Sequence, residues 1–169
     1  APSGWNTGSD PTRYWAQEGN ERVVNNGSSP ETATATAIGW GYFNTRAIIN
    51  QGNIDPTATA AALADSHTVT VAGVVYDDWY LPSRDELNEM CKWARGQAWI
   101  SNETDCNDSG SINSATYGAA TAEFISDGTY WSSSEVAELY GWVQRFYSGF
   151  KYGEQKEVYL RYVRPVRAF

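Results

Sequence analysis

Residues 129–169 read TYWSSSEVAELYGWVQRFYSGFKYGEQKEVYLRYVRPVRAF and carry the clearest strand pattern of the chain. Three runs, TYWSSSE, LYGWVQRFYSGF and EVYLRYVRPVRAF, are rich in β-branched and aromatic residues, and short glycine-containing segments separate them. Such runs are typical of strands joined by turns, so this stretch predicts a sheet. Pro165 predicts a place where pairing stops, because proline has no amide hydrogen to donate.

A helix is predicted upstream of the sheet, in SRDELNEMCKWARG at residues 83–96. Ser83 followed by Glu86 three residues later is a capping box, and Gly96 supplies a stop. Apolar residues recur at helical spacing at Leu87, Met90, Cys91 and Ala94. This pattern predicts a helix over 84–95 whose apolar face belongs to the core.

Other segments give weaker signals. NTRAIINQG at 44–52 and DPTATAAALADSH at 55–67 favour helices, with Asn44 and Asp55 as caps. TVTVAGVVYDDWYLP at 68–82 favours a strand or a hairpin. The residue patterns therefore predict an α+β protein.

Composition limits the classes of function. The chain has 169 residues, a length that favours one domain spanning residues 1–169, and its net charge is −8. Residues 1–129 hold six Lys/Arg against 16 Asp/Glu, which argues against nucleic-acid binding. No apolar run reaches the roughly 18 residues of a spanning helix, so no membrane insertion is expected. The opening APSGWNTGSD lacks signal-peptide features, so we expect any leader to have been removed or to lie upstream.

The end of the chain has a different composition. Residues 130–169 hold six Lys/Arg against four Asp/Glu, and 11 of the 24 aromatic residues. Tyr, Trp, Phe and Arg together are typical of a recognition surface or a tightly packed sheet.

Two cysteines, Cys91 and Cys106, are spaced to allow a disulfide between a helix end and the following loop. A disulfide would indicate an oxidising compartment; the alternative is two buried thiols. His67 is the single histidine and no CxxC pair occurs, which argues against zinc.

One oxygen-rich segment resembles the start of a calcium loop. Asp105, Asn107 and Ser109 alternate before Gly110, but the twelfth position is Thr116 instead of an acid. Turns rich in Asn and Asp give the same pattern without metal. We expect no cofactor, and these three residues are the candidate ligands if calcium binds.

Four blocks, DDWYLPSRDELN, YWSSSE, GWVQRF and VRPVRAF, occur in the order seen in a known family. Together they resemble the C-terminal domain family of the Legionella collagen-like adhesin and the bacterial variable proteins diversified by retroelements. The resemblance spans residues 77–169. It implies a C-type-lectin-like fold with two helices, a small mixed or antiparallel sheet, and termini that meet. It also implies that Arg164, Arg167 and Phe169 are scaffold, with both arginines partly buried.

In such relatives the exposed positions near the C-terminus bind the ligand, which implies a ligand face within residues 136–162. Tyrosine and arginine suit this role, because they offer large amphipathic contact area. The alternative is that many of these tyrosines simply pack. The predicted ligand-binding residues are Tyr140, Val143, Arg145, Tyr147, Phe150, Tyr152, Tyr159, Arg161 and Tyr162.

We therefore predict a non-catalytic receptor or adhesion domain, extracellular or at the cell surface, that binds a protein or carbohydrate and is compatible with an oligomer. The nearest rival is an adhesin with a fixed glycan ligand, as the Legionella relative binds sulfated glycans. A third hypothesis is that the chain is a structural module of a larger surface protein. An enzyme related to formylglycine-generating enzymes is a further alternative, but it would need reactive cysteines.

Overall fold

The computed structural model describes residues 10–18, 35–98, 104–112 and 124–168. Within them the protein is mixed α+β, and its main feature is a five-stranded sheet of order β1-β7-β4-β5-β6. β4 pairs in parallel with β7, and the other neighbours are antiparallel, so the sheet is mixed. The strands of this sheet are β1 (Thr12–Arg13), β4 (Thr129–Ala137), β5 (Tyr140–Arg145), β6 (Lys151–Gln155) and β7 (Arg161–Tyr162).

A separate hairpin joins β2 (Val69–Val71) to β3 (Val74–Tyr76). Ala72 and Gly73 form its turn with φ of 50° and 82°. Two consecutive residues with positive φ match the right-handed twist of the strands, which is why such turns close hairpins. The sequence favoured a strand or a hairpin in this segment, and the structure forms the hairpin.

Three helices lie in the described ranges, whereas the family resemblance implied two. They are α1 (Gly41–Asn50), α2 (Ala60–Asp65) and α3 (Arg84–Ala94). The additional helix, α2, is a single short alanine-rich element that begins after Thr59, where the backbone bridges to Tyr14. Thr59 is extended for this bridge, so the helix starts later than its sequence pattern predicts.

α3 matches its prediction closely. The Ser83 hydroxyl accepts from the Glu86 amide at 3.3 Å, and the Glu86 carboxylate accepts from the Ser83 amide at 2.7 Å. The predicted capping box is therefore formed. Leu87, Cys91 and Ala94 are buried, as the apolar pattern required.

Helices cover both faces of the sheet and produce two cores. Trp131 of β4 and Val143 of β5 belong to the first core, with α1 and α2. Tyr130 of β4 packs in the second core, with α3 and Phe146. Adjacent residues of a strand point to opposite faces, so neighbours in β4 enter different cores.

The first and last described segments of the chain lie together. β1 pairs with β7, and Arg164 donates to Asp10 at 2.7 Å with both side chains buried. Arg167 pairs with Asp78 at 2.8 Å. Strand pairing stops between Tyr162 and Val166, around Pro165. The prediction for Phe169 lies outside the described residues.

Candidate ligand-binding face

β5 and β6 bring the central predicted residues into contact. Their register places Val143 opposite Tyr152. Arg145 ends β5, and its guanidinium carbon lies 4.7 Å from the ring centroid of Tyr152. The Phe150 ring stacks against the same tyrosine, with centroids 5.8 Å apart and an angle of 21°. Because Tyr152 also packs on the first core, the platform beneath Arg145 is held in place.

A second arginine is fixed near Tyr152. Arg161 donates from Nε and Nη2 to the two oxygens of Glu154, each at 2.6 Å. This bidentate geometry orients the guanidinium as well as binding it. The Tyr152 hydroxyl approaches Glu154 at 3.4 Å, and Arg161 lies 5.0 Å from the ring centroid of Tyr159.

The two arginines keep their charge. A hydrogen bond with the Tyr152 side chain raises the pKa of Arg145 above its ordinary value. Partial burial acts to lower the pKa of Arg161, but the hydrogen bond and charge of Glu154 outweigh burial and raise it. Both side chains are therefore cations throughout the physiological pH range.

We use the term aromatic face for six of the predicted residues, which the sheet and its loops place on one side of the protein. Phe150, Tyr147 and Tyr159 are 60%, 45% and 43% exposed, so their rings are open to a ligand. Tyr147 is close enough to Arg145 to contribute to its raised pKa. The aromatic face consists of Arg145, Tyr147, Phe150, Tyr152, Tyr159 and Arg161.

Three predicted residues lie elsewhere. Val143 is only 1% exposed and belongs to the first core, so its assignment to the ligand face is wrong; β5 is covered on both sides at this point. Tyr162 packs against Tyr130, at a centroid distance of 5.5 Å, and contacts the second core. Tyr140 is exposed, but it lies at the far end of β5, where its hydroxyl accepts from Gln155 at 3.5 Å.

Glu154 supports the aromatic face, and sequence reasoning did not place it there. It is 8% exposed and holds Arg161 in position. A signal was available, because Glu154 follows Tyr152 by two residues and strand residues two apart share a face. The predicted ligand-binding residues were aromatic, apolar or basic, so an acid that supports them was not among them.

A groove of about 540 Å³ on the other side of β6 was also missed. Arg84 lies 5.3 Å from the ring centroid of Trp142 there, Lys151 pairs with Asp105, and Phe150 forms one wall. Arg84 and Trp142 are far apart in sequence, so only the packing of α3 against β5 brings them together.

The candidate calcium segment wraps an arginine. Arg95, at the end of α3, donates to the carbonyls of Asp108, Ser109 and Gly110. The side-chain oxygen of Asn107 accepts from the Ser109 amide at 2.9 Å, which is a turn of the Asx type. Asp105 pairs with Lys151. The oxygen atoms of this segment therefore bind protein cations, Arg95 and Lys151, or form the turn at Asn107.

The two cysteines form a disulfide between α3 and the following loop, as predicted, with a Cα–Cα distance of 5.9 Å. Both thiols of the chain are consumed by this bond. No cluster of three or more His, Cys, Asp or Glu side chains suited to a metal occurs in the described ranges. Among the helices of those ranges, none has the length and apolar character needed to cross a bilayer.

The chain matches no protein-family model, no curated protein and no solved structure.

Proposed function

We propose that the chain is a non-catalytic ligand-binding domain of the receptor or adhesion type with a C-type-lectin-like fold. The observation that carries this proposal is the aromatic face, in which Arg145 and Phe150 are ordered on Tyr152 above a packed core. Rigid tyrosine and arginine side chains bind with little loss of conformational entropy, because they are already fixed. The disulfide supports an oxidising, extracellular or cell-surface location.

The resemblance of the four sequence blocks leads us to propose further that the domain is the target of a diversity-generating retroelement. The exposed rings of Tyr147, Phe150 and Tyr159 would then be variable, whereas Glu154 and Tyr152 would support them. The alternative is an adhesin with one fixed glycan ligand, as in the Legionella relative. The disulfide counts against an enzyme that needs free cysteine thiols.

A binding screen tests the first proposal. The purified chain is presented to arrayed glycans and to a displayed library of a small folded scaffold, and each binder is measured again with Phe150→Ala and Tyr159→Ala. Both side chains are exposed, so the variants should fold. We expect at least about a tenfold loss of affinity, since exposed aromatic anchors dominate binding energy.

Phe43→Ala is the matched control, because Phe43 is 53% exposed on α1 and remote in sequence from the aromatic face. Equal loss of binding in Phe43→Ala and Phe150→Ala would contradict the assignment of the site.

Sequencing the 3′ end of the gene across the source population tests diversification. Substitutions confined to codons 136–162 would support it, and a uniform 3′ end would leave the fixed-ligand adhesin.

A further inference from the structure

Arg145 differs from the other cations of the described ranges in its surroundings. Of 12 Lys and Arg residues, 11 lie in those ranges. Eight of them form ion pairs with carboxylates. Arg13 and Arg95 instead donate to backbone carbonyls. Arg145 contacts the Tyr152 side chain, and within the described ranges it pairs with no carboxylate.

The acid on the same face does not neutralise Arg145. Glu154 acts on Arg145 only through its charge at a distance, and both of its oxygens accept from Arg161 instead. A guanidinium lying on an aromatic ring is weakly hydrated and keeps donors free for a planar carboxylate. The aromatic face therefore presents one uncompensated positive charge among exposed rings, on a protein whose net charge is −8.

We infer that Arg145 is the specificity-determining residue of the aromatic face and binds an aspartate or glutamate side chain of a protein partner. This inference rests on the proposed function and names the partner class. Complementary charge favours an acidic group at this position, because a carboxylate would pair with a cation that has no other acid in contact.

The shape and composition of the surroundings favour a protein over an acidic glycan. Exposed apolar side chains extend from the aromatic face along the loop before β7, where Val158 and Leu160 are 52% and 47% exposed. Broad surfaces of this kind, with aromatic residues and an arginine at the centre, are typical of protein interfaces. A single charge among apolar groups suits one acidic side chain better than a polyanion.

Selection from a displayed library tests the inference. A small helical scaffold with randomised surface positions is selected separately against the wild-type chain, Arg145→Gln and Arg145→Glu, and the selected pools are sequenced. We expect Asp and Glu to be enriched in the wild-type pool and not with Arg145→Gln, and Lys and Arg to be enriched with Arg145→Glu. Individual wild-type binders should bind Arg145→Gln about tenfold more weakly, since hydrogen bonds to charged groups are among the stronger ones.

Arg46→Glu is the matched control. Arg46 also lies over a tyrosine, 5.5 Å from the ring centroid of Tyr42, but its charge is already paired with Asp65 at 3.0 Å. Its pool should resemble the wild-type pool. Equal acidic content in the wild-type and Arg145→Gln pools would overturn the inference and leave the proposed function intact, as would binders found only among acidic glycans. Absence of any wild-type binder in both screens would count against the proposed function itself.

Discussion

His67 makes the stability of the protein depend on pH, and this effect can be observed at a single residue. It lies beside Trp79, with ring centroids 4.8 Å apart, and burial lowers the pKa of His67 below its ordinary value near 6.5. The unfolded chain therefore binds a proton before the folded chain does, so stability falls as the pH drops below about 6.5. Since His67 is the only histidine, its ring protons report the titration directly by NMR.

We expect the folded pKa of His67 to lie below 6.5. We also expect His67→Gln to weaken the fall in the free energy of unfolding as the pH drops below about 6.5. Above that range both forms should show the same pH dependence. A folded pKa above 6.5 by NMR, or an unchanged slope in the variant, would contradict this account.

The ion pair of Lys156 with Glu135 is a second residue-scale feature, and it is fully buried. The Lys156 Nζ donates to Glu135 at 2.5 Å and to the Glu138 carbonyl at 3.0 Å, and it lies 4.1 Å from the Trp15 ring centroid. Lys156→Met should cost about 3–5 kcal/mol in urea unfolding, because the buried carboxylate of Glu135 would lose the cation that pairs with it.

The exposed pair of Lys151 with Asp105 provides the comparison, since Asp105 is 65% exposed. Lys151→Met should cost at most about 1 kcal/mol, because water and salt screen that pair. Similar costs for Lys151→Met and Lys156→Met would show that burial of the pair is not what matters.

At the scale of elements, the disulfide fastens α3 to the loop at 104–112. It joins Cys91 and Cys106, which are 15 residues apart. In the chain-entropy description, closing a loop of that size stabilises the fold by about 3 kcal/mol. We expect the double variant Cys91→Ala/Cys106→Ala to lose about that much in urea unfolding at 25 °C.

A reducing agent provides the control for this effect. It should lower the free energy of unfolding of the wild-type chain and leave the double variant unchanged. If the wild-type chain is equally stable with and without the reducing agent, the bond does not stabilise the fold in this way. Arg95 spans the same elements through its carbonyl contacts, so some attachment of the loop should survive reduction.

For the whole molecule, the net charge of −8 separates the proposed receptor from a binder of sulfated glycans. At physiological salt, charges interact over about 8 Å, so a polyanion would meet an acidic surface with most cations already paired. We expect the chain to pass through a heparin column in 0.15 M salt. The measurement is whether the protein elutes in the unbound fraction.

Retention that is released by added salt would instead favour the fixed-ligand adhesin. In that case Arg145→Gln identifies the contact, because earlier elution of the variant would locate the polyanion on the aromatic face. Elution at the same salt concentration would place the contact elsewhere on the protein.

Sequence alone determined the features that depend on neighbouring residues. The capping box of Ser83 and Glu86, the hairpin at Ala72–Gly73 and the end of pairing near Pro165 all follow from local backbone chemistry. Patterns of this kind indicated helices and strands together, and the cysteine spacing allowed the disulfide that the structure forms.

Tertiary structure decided which side chains are covered and which are paired. Alternation along β5 cannot reveal that helices cover both faces of the sheet. Val143 was therefore predicted to be exposed, although it is buried. Asn44 was predicted to cap a helix. That prediction is wrong, because α1 begins at Gly41 and the Asn44 side chain donates to the Ala35 carbonyl. Sequence also does not show that Glu154 binds Arg161, whereas Arg145 contacts no carboxylate in the described part of the chain. Pairing and burial depend on contacts between residues that are distant in the chain, whereas local sequence encodes only contacts between neighbours.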